Sequence, residues 1–146
     1  MFPSFEELQR YVESEGVETL DFKVTQLSGS WRHLSVPASA LSEKLFTRGF
    51  GFDGSNYGYA TIEASDMVFI PDFRTAFVDP FWSRKTLSFL GTVHEILPDG
   101  FRPYAGDSRA ILDRALDVLR STGYADSFFV GPEYEYYILD SVSYRN

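Results

Sequence analysis

Apolar and polar positions alternate through the first third of the chain in a pattern that predicts a helix followed by a β-hairpin. Ser4 and Glu7 have the spacing of a capping box, so a helix is predicted over roughly residues 4 to 15. Residues 18 to 37 place apolar side chains at every second position on both sides of a Ser-Gly-Ser turn, which is typical of a hairpin. A short helix that Gly49 ends is predicted next.

Glycine and proline interrupt the middle of the chain. The segment GFGFDGSNYGYA at residues 49–60 holds four glycines, a density that disfavours both helix and strand and predicts a structured loop. Strand candidates follow, each interrupted by proline or glycine. They are DMVFIPD at 66–72, RTAFVDPFW at 74–82 and TLSFLGTVHEIL at 86–97. A second connector rich in proline and glycine, PDGFRPYAGDSR, spans residues 98–109.

The best-marked helix follows this connector. Asp107 is a good N-cap, apolar residues recur with helical spacing after it, and Gly123 marks the end. The next segment, SFFVGPEYEYYILDSVSYRN, predicts a pair of strands with a Gly-Pro break. A helix and strands of about 40 residues cannot bury their own apolar faces, so we expect this second unit to need a partner.

Composition narrows the possible chemistry. The 146 residues include no cysteine, which excludes disulfides and thiolate metal sites and leaves oxygen and nitrogen as ligands. The formal net charge of −8, with basic residues that form no block, argues against nucleic acid as a partner. No stretch approaches the ~20 apolar residues of a membrane span, and the N-terminus lacks the order of a signal peptide. We therefore expect a cytoplasmic protein with no membrane partner.

Glu133 and Glu135 are the most informative polar positions, because they interrupt an aromatic segment that otherwise reads as buried strand. The strand period of two places both carboxylates on one face, where they repel each other unless water or a cation lies between them. Two interpretations follow: a solvated outer face, or a Mg²⁺ or Mn²⁺ site that needs further ligands from elsewhere.

Asp53 also has two interpretations. Its Asp-Gly sequence is typical of a turn in which the carboxylate bonds to nearby backbone. Alternatively, the glycine-rich loop presents Asp53 outward to a ligand or to a neighbouring subunit. His33 and His94 both lie in strand patterns, where a histidine with a satisfied hydrogen bond is more common than a ligand, and no role is assigned to them.

Three stretches, in this order and spacing, resemble the N-terminal part of the bacterial-type glutamine synthetase family. They are FDGSN at 52–56, SDMVFIPDFRTAFVDPFW at 65–82 and GPEYEYY at 131–137, and the helix before the last of them also matches. The resemblance implies an α+β protein with a β-grasp-like N-terminal domain over residues 1–103. Residues 104–146 would then be the first helix and strands of an incomplete α/β catalytic domain.

The resemblance also implies an activity. The family makes glutamine from glutamate, ammonia and ATP through a γ-glutamyl phosphate, with two divalent cations, Mg²⁺ or Mn²⁺. Glu135 would hold the cation that positions glutamate, and Glu133 the cation that serves the ATP phosphates. Asp53 would reach into the active site of a neighbouring subunit, bind ammonium and help to remove a proton. The family's homo-oligomer is a dodecamer of two stacked six-membered rings, and this part alone is expected to be inactive.

Two features separate the chain from the family's usual pattern. Asn56 stands where a second serine is usual, and the segment from Asp53 to Asp66 is one residue shorter. Both affect the amine end of the site, so a ligase that joins glutamate to a polyamine or another amine is an alternative. A non-catalytic assembly or regulatory module that keeps the ring-forming domain is the other.

Overall fold

The computed structural model of the chain describes residues 2–145. Its α-helices are Phe5–Ser14 (α1), Glu43–Thr47 (α2) and Ser108–Ser121 (α3). Its strands are Thr19–Thr25 (β1), Trp31–Pro37 (β2), Phe50–Asp53 (β3), Asp66–Pro71 (β4), Phe77–Val78 (β5), Thr86–Leu97 (β6) and Gly100–Pro103 (β7). None of the helices described here combines the length and the apolar character that crossing a bilayer requires.

All these strands belong to one mixed sheet centred on β6. The strand order is β2-β1-β6-β4-β3, and the short strands β5 and β7 also pair with β6. The β1 and β6 strands run parallel, with Thr19 opposite Thr86, whereas the other pairs are antiparallel. A largely antiparallel sheet with helices packed beside it is an α+β arrangement, which confirms the predicted fold class.

The core lies between α1 and one face of this sheet. Leu8 of α1 and Phe22 of β1 are completely buried, as is Phe89 of β6. The Phe22 ring stacks on the Phe89 ring with 5.6 Å between their centroids. Since burying one such side chain contributes about 1.5 to 3 kcal/mol, this apolar core accounts for a large part of the stability of the sheet and of the packing of α1 on it.

The predicted hairpin and the two predicted N-caps are confirmed, and the short helix predicted before Gly49 corresponds to α2. The side chain of Ser4 accepts a hydrogen bond from the Glu7 backbone N–H at 3.3 Å. The helix α1 begins at Phe5, directly after this N-cap. Asp107 does the same for α3, where Oδ2 accepts from the Ala110 backbone N–H at 3.0 Å. Gly29 turns the hairpin with a φ of 83°, a conformation that residues with a Cβ rarely adopt.

Two segments predicted as loops contain strands. Residues 50–53 form β3 and residues 100–103 form β7, and each pairs with a neighbouring strand. Glycine is what allows the first of these. A Cβ on Gly49 would lie 2.2 Å from the Phe69 carbonyl oxygen, so the missing side chain lets this backbone approach β4. Glycine density was therefore a sign of close approach between backbones, and the inference that it prevents a strand was wrong.

Two predicted strand regions are largely irregular. In the region 74–82 the only strand that forms is the two-residue β5. The pair of strands predicted after α3 is absent from the described residues, because residues 127–145 have no regular secondary structure. The side chains of this last segment lie in solvent; Phe129 is 97% exposed and Ile138 is 86% exposed. A strand requires a neighbour for its backbone groups and its apolar face, so sequence propensity alone does not produce one.

A buried ionic cluster made of Asp21, Lys23 and Asp79 joins β1 to the segment after β5. The Lys23 Nζ lies 2.7 Å from Asp21 Oδ2 and 2.9 Å from Asp79 Oδ2, and the three side chains are at most 13% exposed. The hydroxyl of Ser35 donates to Asp21, and the hydroxyl of Ser88 donates to Asp79. In this Lys23 cluster the ammonium offsets the charge of two carboxylates that are almost completely buried, so removing it leaves both carboxylates without a counter-charge.

The protonation of the Lys23 cluster follows from these contacts. Burial alone would raise the pKa of both carboxyl groups. The ammonium group of Lys23 and the hydroxyl donors outweigh burial, so the pKa of Asp21 and the pKa of Asp79 both lie below their ordinary value. Burial would also lower the pKa of Lys23, but its two carboxylate partners raise it. At neutral pH the three groups are therefore charged.

Candidate functional site

Asp53 lies at the end of β3, where the chain turns away from the sheet. Its Oδ1 accepts hydrogen bonds from the backbone N–H of Ser55 at 2.9 Å and from the Ser55 hydroxyl at 2.6 Å. Gly54 is buried beneath this turn, and a Cβ there would lie 2.4 Å from the sulfur of Met67. The turn interpretation of Asp53 is thus confirmed, and the same turn leaves the residue exposed at the surface.

The electrostatics of this turn keep Asp53 ionised. The two hydrogen bonds from Ser55 hold the pKa of Asp53 below its ordinary value of 3.8. The bond from the hydroxyl has the larger effect, and the bond from the backbone N–H has the smaller one. Asp66 lies directly opposite Asp53 in the β3–β4 ladder, so a second carboxylate residue is at the same edge. An exposed edge with this charge attracts cations, including an ammonium ion.

Glu133 and Glu135 lie in the irregular segment after α3, and both are exposed. This corrects the expectation that they stand on one face of a paired strand, because the segment has no strand partner within residues 2–145. Their accessible carboxylate oxygens are ligands of the type that Mg²⁺ and Mn²⁺ prefer. Two residues cannot complete the six-fold coordination of such an ion, so they fit a metal site only in part.

Asp53 and the glutamate pair do not converge in this chain. Among the described residues, no group of three or more histidine, aspartate or glutamate side chains is placed to hold a metal ion. The described part of the chain therefore presents two separate acidic elements, one at the end of β3 and one after α3.

The histidines have the ordinary partners expected of sheet residues. His33 Nδ1 lies 2.8 Å from Asp21 Oδ1, and the Nδ1 group of His94 donates to the Thr92 carbonyl at 3.2 Å. The pKa of His94 lies below the ordinary value for histidine, mainly because the ring is partly buried. Within residues 2–145, neither ring belongs to a group of side chains that could hold a metal ion.

Sequence reasoning missed the tyrosines that surround the loop after Asp53. The hydroxyl of Tyr104 donates to the carbonyl of Tyr59 at 3.0 Å, across 45 positions of sequence. The hydroxyl of Tyr59 donates in turn to the carbonyl of Thr25 at 3.3 Å. No spacing rule predicts contacts of this range, because they depend on how β1, β7 and α3 pack; the only sequence signal is that tyrosines occur in both connectors.

Comparison with known proteins identifies the fold family. The family described as "Glutamine synthetase, beta-Grasp domain" matches residues 16–96. A glutamine synthetase of Frankia alni is 40% identical over 145 residues, which cover 99% of this chain and 30% of that protein. A 3-hydroxylaminophenol mutase of Cupriavidus pinatubonensis is 40% identical over 146 residues, which cover 99% of this chain and 31% of that protein.

The solved structures agree with the sequence comparison on the fold. The cryo-EM structure of Plasmodium falciparum glutamine synthetase superposes with a TM-score of 0.71 at 23% identity, covering 86% of this chain and 24% of that one. The chain spans about 30% of the length of the relatives that it matches in sequence. The mixed sheet around β6 is thus a β-grasp domain, and the chain belongs to the glutamine synthetase family.

Proposed function

We propose that this chain is the N-terminal portion of an ATP-dependent ligase that joins glutamate to ammonia and forms glutamine through a γ-glutamyl phosphate. The observation that carries the proposal is the turn at Asp53, which holds an ionised carboxylate at an exposed edge of a β-grasp sheet. The match to the beta-grasp domain of glutamine synthetase over residues 16–96 includes this turn. Glutamate, ammonia and ATP are the proposed substrates, and a cytoplasmic location is part of the proposal.

Asp53 is suited to binding the ammonium ion. Its lowered pKa keeps the carboxylate negative at neutral pH, which favours a cation by charge attraction. The same lowered pKa makes it a weak base, because a general base works best with a pKa near the working pH. We therefore assign to Asp53 the binding and orientation of the amine first, and proton removal only where a neighbouring group raises its basicity.

Glu133 and Glu135 are the proposed ligands of two divalent cations, Glu133 on the nucleotide side and Glu135 on the glutamate side. Both side chains are exposed and accessible to an ion. Bound Mg²⁺ or Mn²⁺ would supply the positive charge that offsets the carboxylates and the ATP phosphates. Because two glutamates cannot complete a coordination shell, water, substrate phosphates or further protein residues would supply the remaining ligands.

The separation of the two acidic elements supports an active site shared between subunits. Asp53 precedes α3 and the two glutamates follow it, and the three carboxylates do not form one cluster. An active site that needs Asp53 and the two glutamates would be complete if Asp53 of one copy lay beside the glutamates of another copy. A homo-oligomer of two stacked six-membered rings would bring two copies together in this way. We propose this dodecameric arrangement for the protein in which the chain works.

An amine other than ammonia is the second candidate. The loop after Asp53 departs from the usual family pattern at Asn56 and in its length. A relative named 3-hydroxylaminophenol mutase matches as much of this chain as the Frankia alni glutamine synthetase does. Proteins that resemble this chain are thus named for more than one activity. A non-catalytic assembly module is the third candidate.

A chimera tests the function. We expect the chain alone to form no glutamine from glutamate, ammonium and ATP, because its acidic elements do not form one site. We expect activity when the chain replaces the part of the Frankia alni glutamine synthetase that it matches. Glutamine formation is measured with ¹⁵N-ammonium by NMR, and putrescine and methylamine are offered as competing amines.

Each outcome of the chimera separates the candidates. Turnover with ammonium supports the ligase, whereas preference for a larger amine supports the second candidate. A chimera that assembles into the ring of the parent enzyme but forms no product with any amine supports the assembly module. Robust glutamine formation by the chain alone would contradict the proposed division of the site.

Replacing Glu135 by Gln in the chimera should remove one Mn²⁺ site for each subunit, because the amide lacks the charge that holds the ion. The measurement is a titration of free Mn²⁺ by electron paramagnetic resonance. Asp140→Asn is the matched control, since Asp140 is an exposed acid of the same segment. An unchanged number of sites in the Glu135 variant would contradict its role as a ligand.

A further inference from the structure

The loop that follows Asp53 contains two residues whose backbone carbonyls are held from outside the loop. The side-chain amide of Gln26, in the β1–β2 turn, donates to the Tyr57 carbonyl at 2.6 Å. The hydroxyl of Tyr104, which lies between β7 and α3, donates to the Tyr59 carbonyl at 3.0 Å. The loop is thus attached at two successive points to two different parts of the fold.

The backbones of both donors are themselves hydrogen-bonded to ordered parts of the fold. The Gln26 backbone N–H bonds to the Ser30 carbonyl at 2.9 Å within the hairpin turn. The Tyr104 backbone N–H bonds to the Val93 carbonyl of β6 at 2.8 Å. A hydrogen bond from a side chain whose backbone is already ordered limits the loop more than one from a mobile side chain, because little further freedom is lost.

The loop itself needs such external support. Gly54 and Gly58 both lie within it, and Gly58 has a φ of 71°. Glycine allows this conformation but also allows many others, so a loop with two glycines does not keep one shape unaided. Its own bonds, from the Gly58 N–H to the Ser55 carbonyl and from the Tyr59 N–H to the Gly54 carbonyl, close only a short turn.

Aromatic contacts and a shared acceptor extend this attachment to α3. The rings of Tyr59 and Tyr104 lie 5.3 Å apart. The Thr25 carbonyl at the end of β1 accepts hydrogen bonds from the Tyr59 hydroxyl at 3.3 Å and from the Ser108 hydroxyl at 3.0 Å. Burial raises the pKa of Tyr59 to about 12, so its hydroxyl remains a donor at neutral pH. The loop and the first residue of α3 therefore share one acceptor.

We infer that Gln26 and Tyr104 are positioning residues for Asp53: Gln26 holds the Tyr57 carbonyl from the hairpin turn, and Tyr104 holds the Tyr59 carbonyl from the segment that leads into α3. The helix α3 in turn precedes Glu133 and Glu135. The orientation of the amine-binding carboxylate is thereby set by the hairpin turn and by the segment between β7 and α3 as well as by β3. The catalytic part of this inference rests on the function proposed above, whereas the structural part does not.

Amide hydrogen exchange on the chain itself tests the structural part. Tyr104→Phe removes one hydroxyl and keeps the ring, and Gln26→Met keeps the shape of the side chain. Each should speed exchange of the Gly58 and Tyr59 amides about fivefold, since one neutral hydrogen bond is lost. Exchange of the β6 amides should not change, and the control Tyr124→Phe, which alters a residue 91% exposed, should leave the loop unchanged.

Two results would overturn the inference. One is unchanged exchange of the loop amides in both variants. The other is exchange that rises equally in the loop and in β6, because the hydroxyl and the amide would then contribute to global stability and not to the loop.

The active chimera tests the catalytic part. There, Tyr104→Phe should raise the KM for the amine about fivefold, with the KM values for glutamate and ATP unchanged. Faster exchange of the loop amides together with an unchanged KM for the amine would support the attachment of the loop by Tyr104. It would refute the role of that attachment in positioning Asp53. A chimera without any activity would instead count against the proposed function, and the exchange data would still decide whether the loop is held.

Discussion

Replacing Asp53 by Asn in the active chimera should lower kcat/KM for ammonium about 100-fold or more, the size of effect that follows loss of one preorganised electrostatic group in an active site. Asn keeps an acceptor oxygen for the two donors of Ser55, so the turn should persist while the negative charge is lost. The KM values for glutamate and ATP should stay within about twofold, because neither substrate contacts this carboxylate in the proposed site.

Asp99→Asn is the control for this experiment. Asp99 is an exposed acid in the turn between β6 and β7, so its replacement makes the same change of charge away from the loop. Equal losses for ammonium, glutamate and ATP in the Asp53 variant would indicate damage to the fold. Full activity of Asp53→Asn would show that its charge has no part in amine use.

The effect of Asp53 on amine use should also have a definite pH dependence. Because the pKa of Asp53 is lowered, the carboxylate stays charged throughout the neutral range and gains a proton only below its ordinary value of 3.8. Any loss of ammonium binding between about pH 5 and 7 must then come from another group.

Lys23→Met should destabilise the chain by about 3 to 5 kcal/mol, which is the usual result of removing one partner from a buried ion pair. The substitution leaves Asp21 and Asp79 in the interior without their shared counter-charge. Since small domains are stable by only about 5 to 15 kcal/mol, a large share of the variant should be unfolded at moderate urea concentration. Urea unfolding followed by circular dichroism measures this change.

Lys85→Met is the matched control. Lys85 forms an ion pair with Glu15, but these side chains are 34% and 48% exposed, and an ion pair at the surface contributes about 0 to 1 kcal/mol. The two substitutions are chemically identical, so the difference between them isolates the effect of burial. Similar urea midpoints for both variants would contradict the structural importance of the Lys23 cluster.

The same cluster predicts how stability changes with acid. The pKa values of Asp21 and Asp79 are lower in the folded chain than their ordinary value of 3.8. Their contribution to stability is therefore complete above that value and is lost as the pH falls through the lower pKa values of the folded state. Lys23→Met removes the main group that lowers these pKa values, so the variant should lose much of this dependence on acid.

The elements that local sequence signals predicted correctly are those whose cause is local. Ser4 and Asp107 cap helices through bonds to residues three positions away, and Gly29 turns a hairpin through its own backbone freedom. Asp53 belongs to the same class, since its turn is closed by Ser55. Alternation of apolar residues also identified β1 and β2, and the strand candidates at 66–72 and 86–97 contain β4 and β6.

The errors have one physical origin, which is that a strand exists only beside another strand. Residues 50–53 became a strand because Gly49 lets them approach β4, whereas the aromatic segment after α3 has high strand propensity but no neighbour in residues 2–145. Asp21 and Lys23 are two positions apart in β1 and therefore lie on one face of the strand, but no local signal indicates that Asp79 completes a buried cluster with them.

Interactions between residues a few positions apart thus account for the helix caps, the hairpin and the Asp53 turn. The order and spacing of the motifs at 52–56, 65–82 and 131–137 were sufficient to indicate the family. Three features arise from contacts between distant parts of the chain: the pairing of β3 and β7, the burial of the Lys23 cluster and the attachment of the loop to Gln26 and Tyr104. Their energies depend on which backbones and side chains the packing brings within hydrogen-bond distance, and that proximity is a property of the folded sheet.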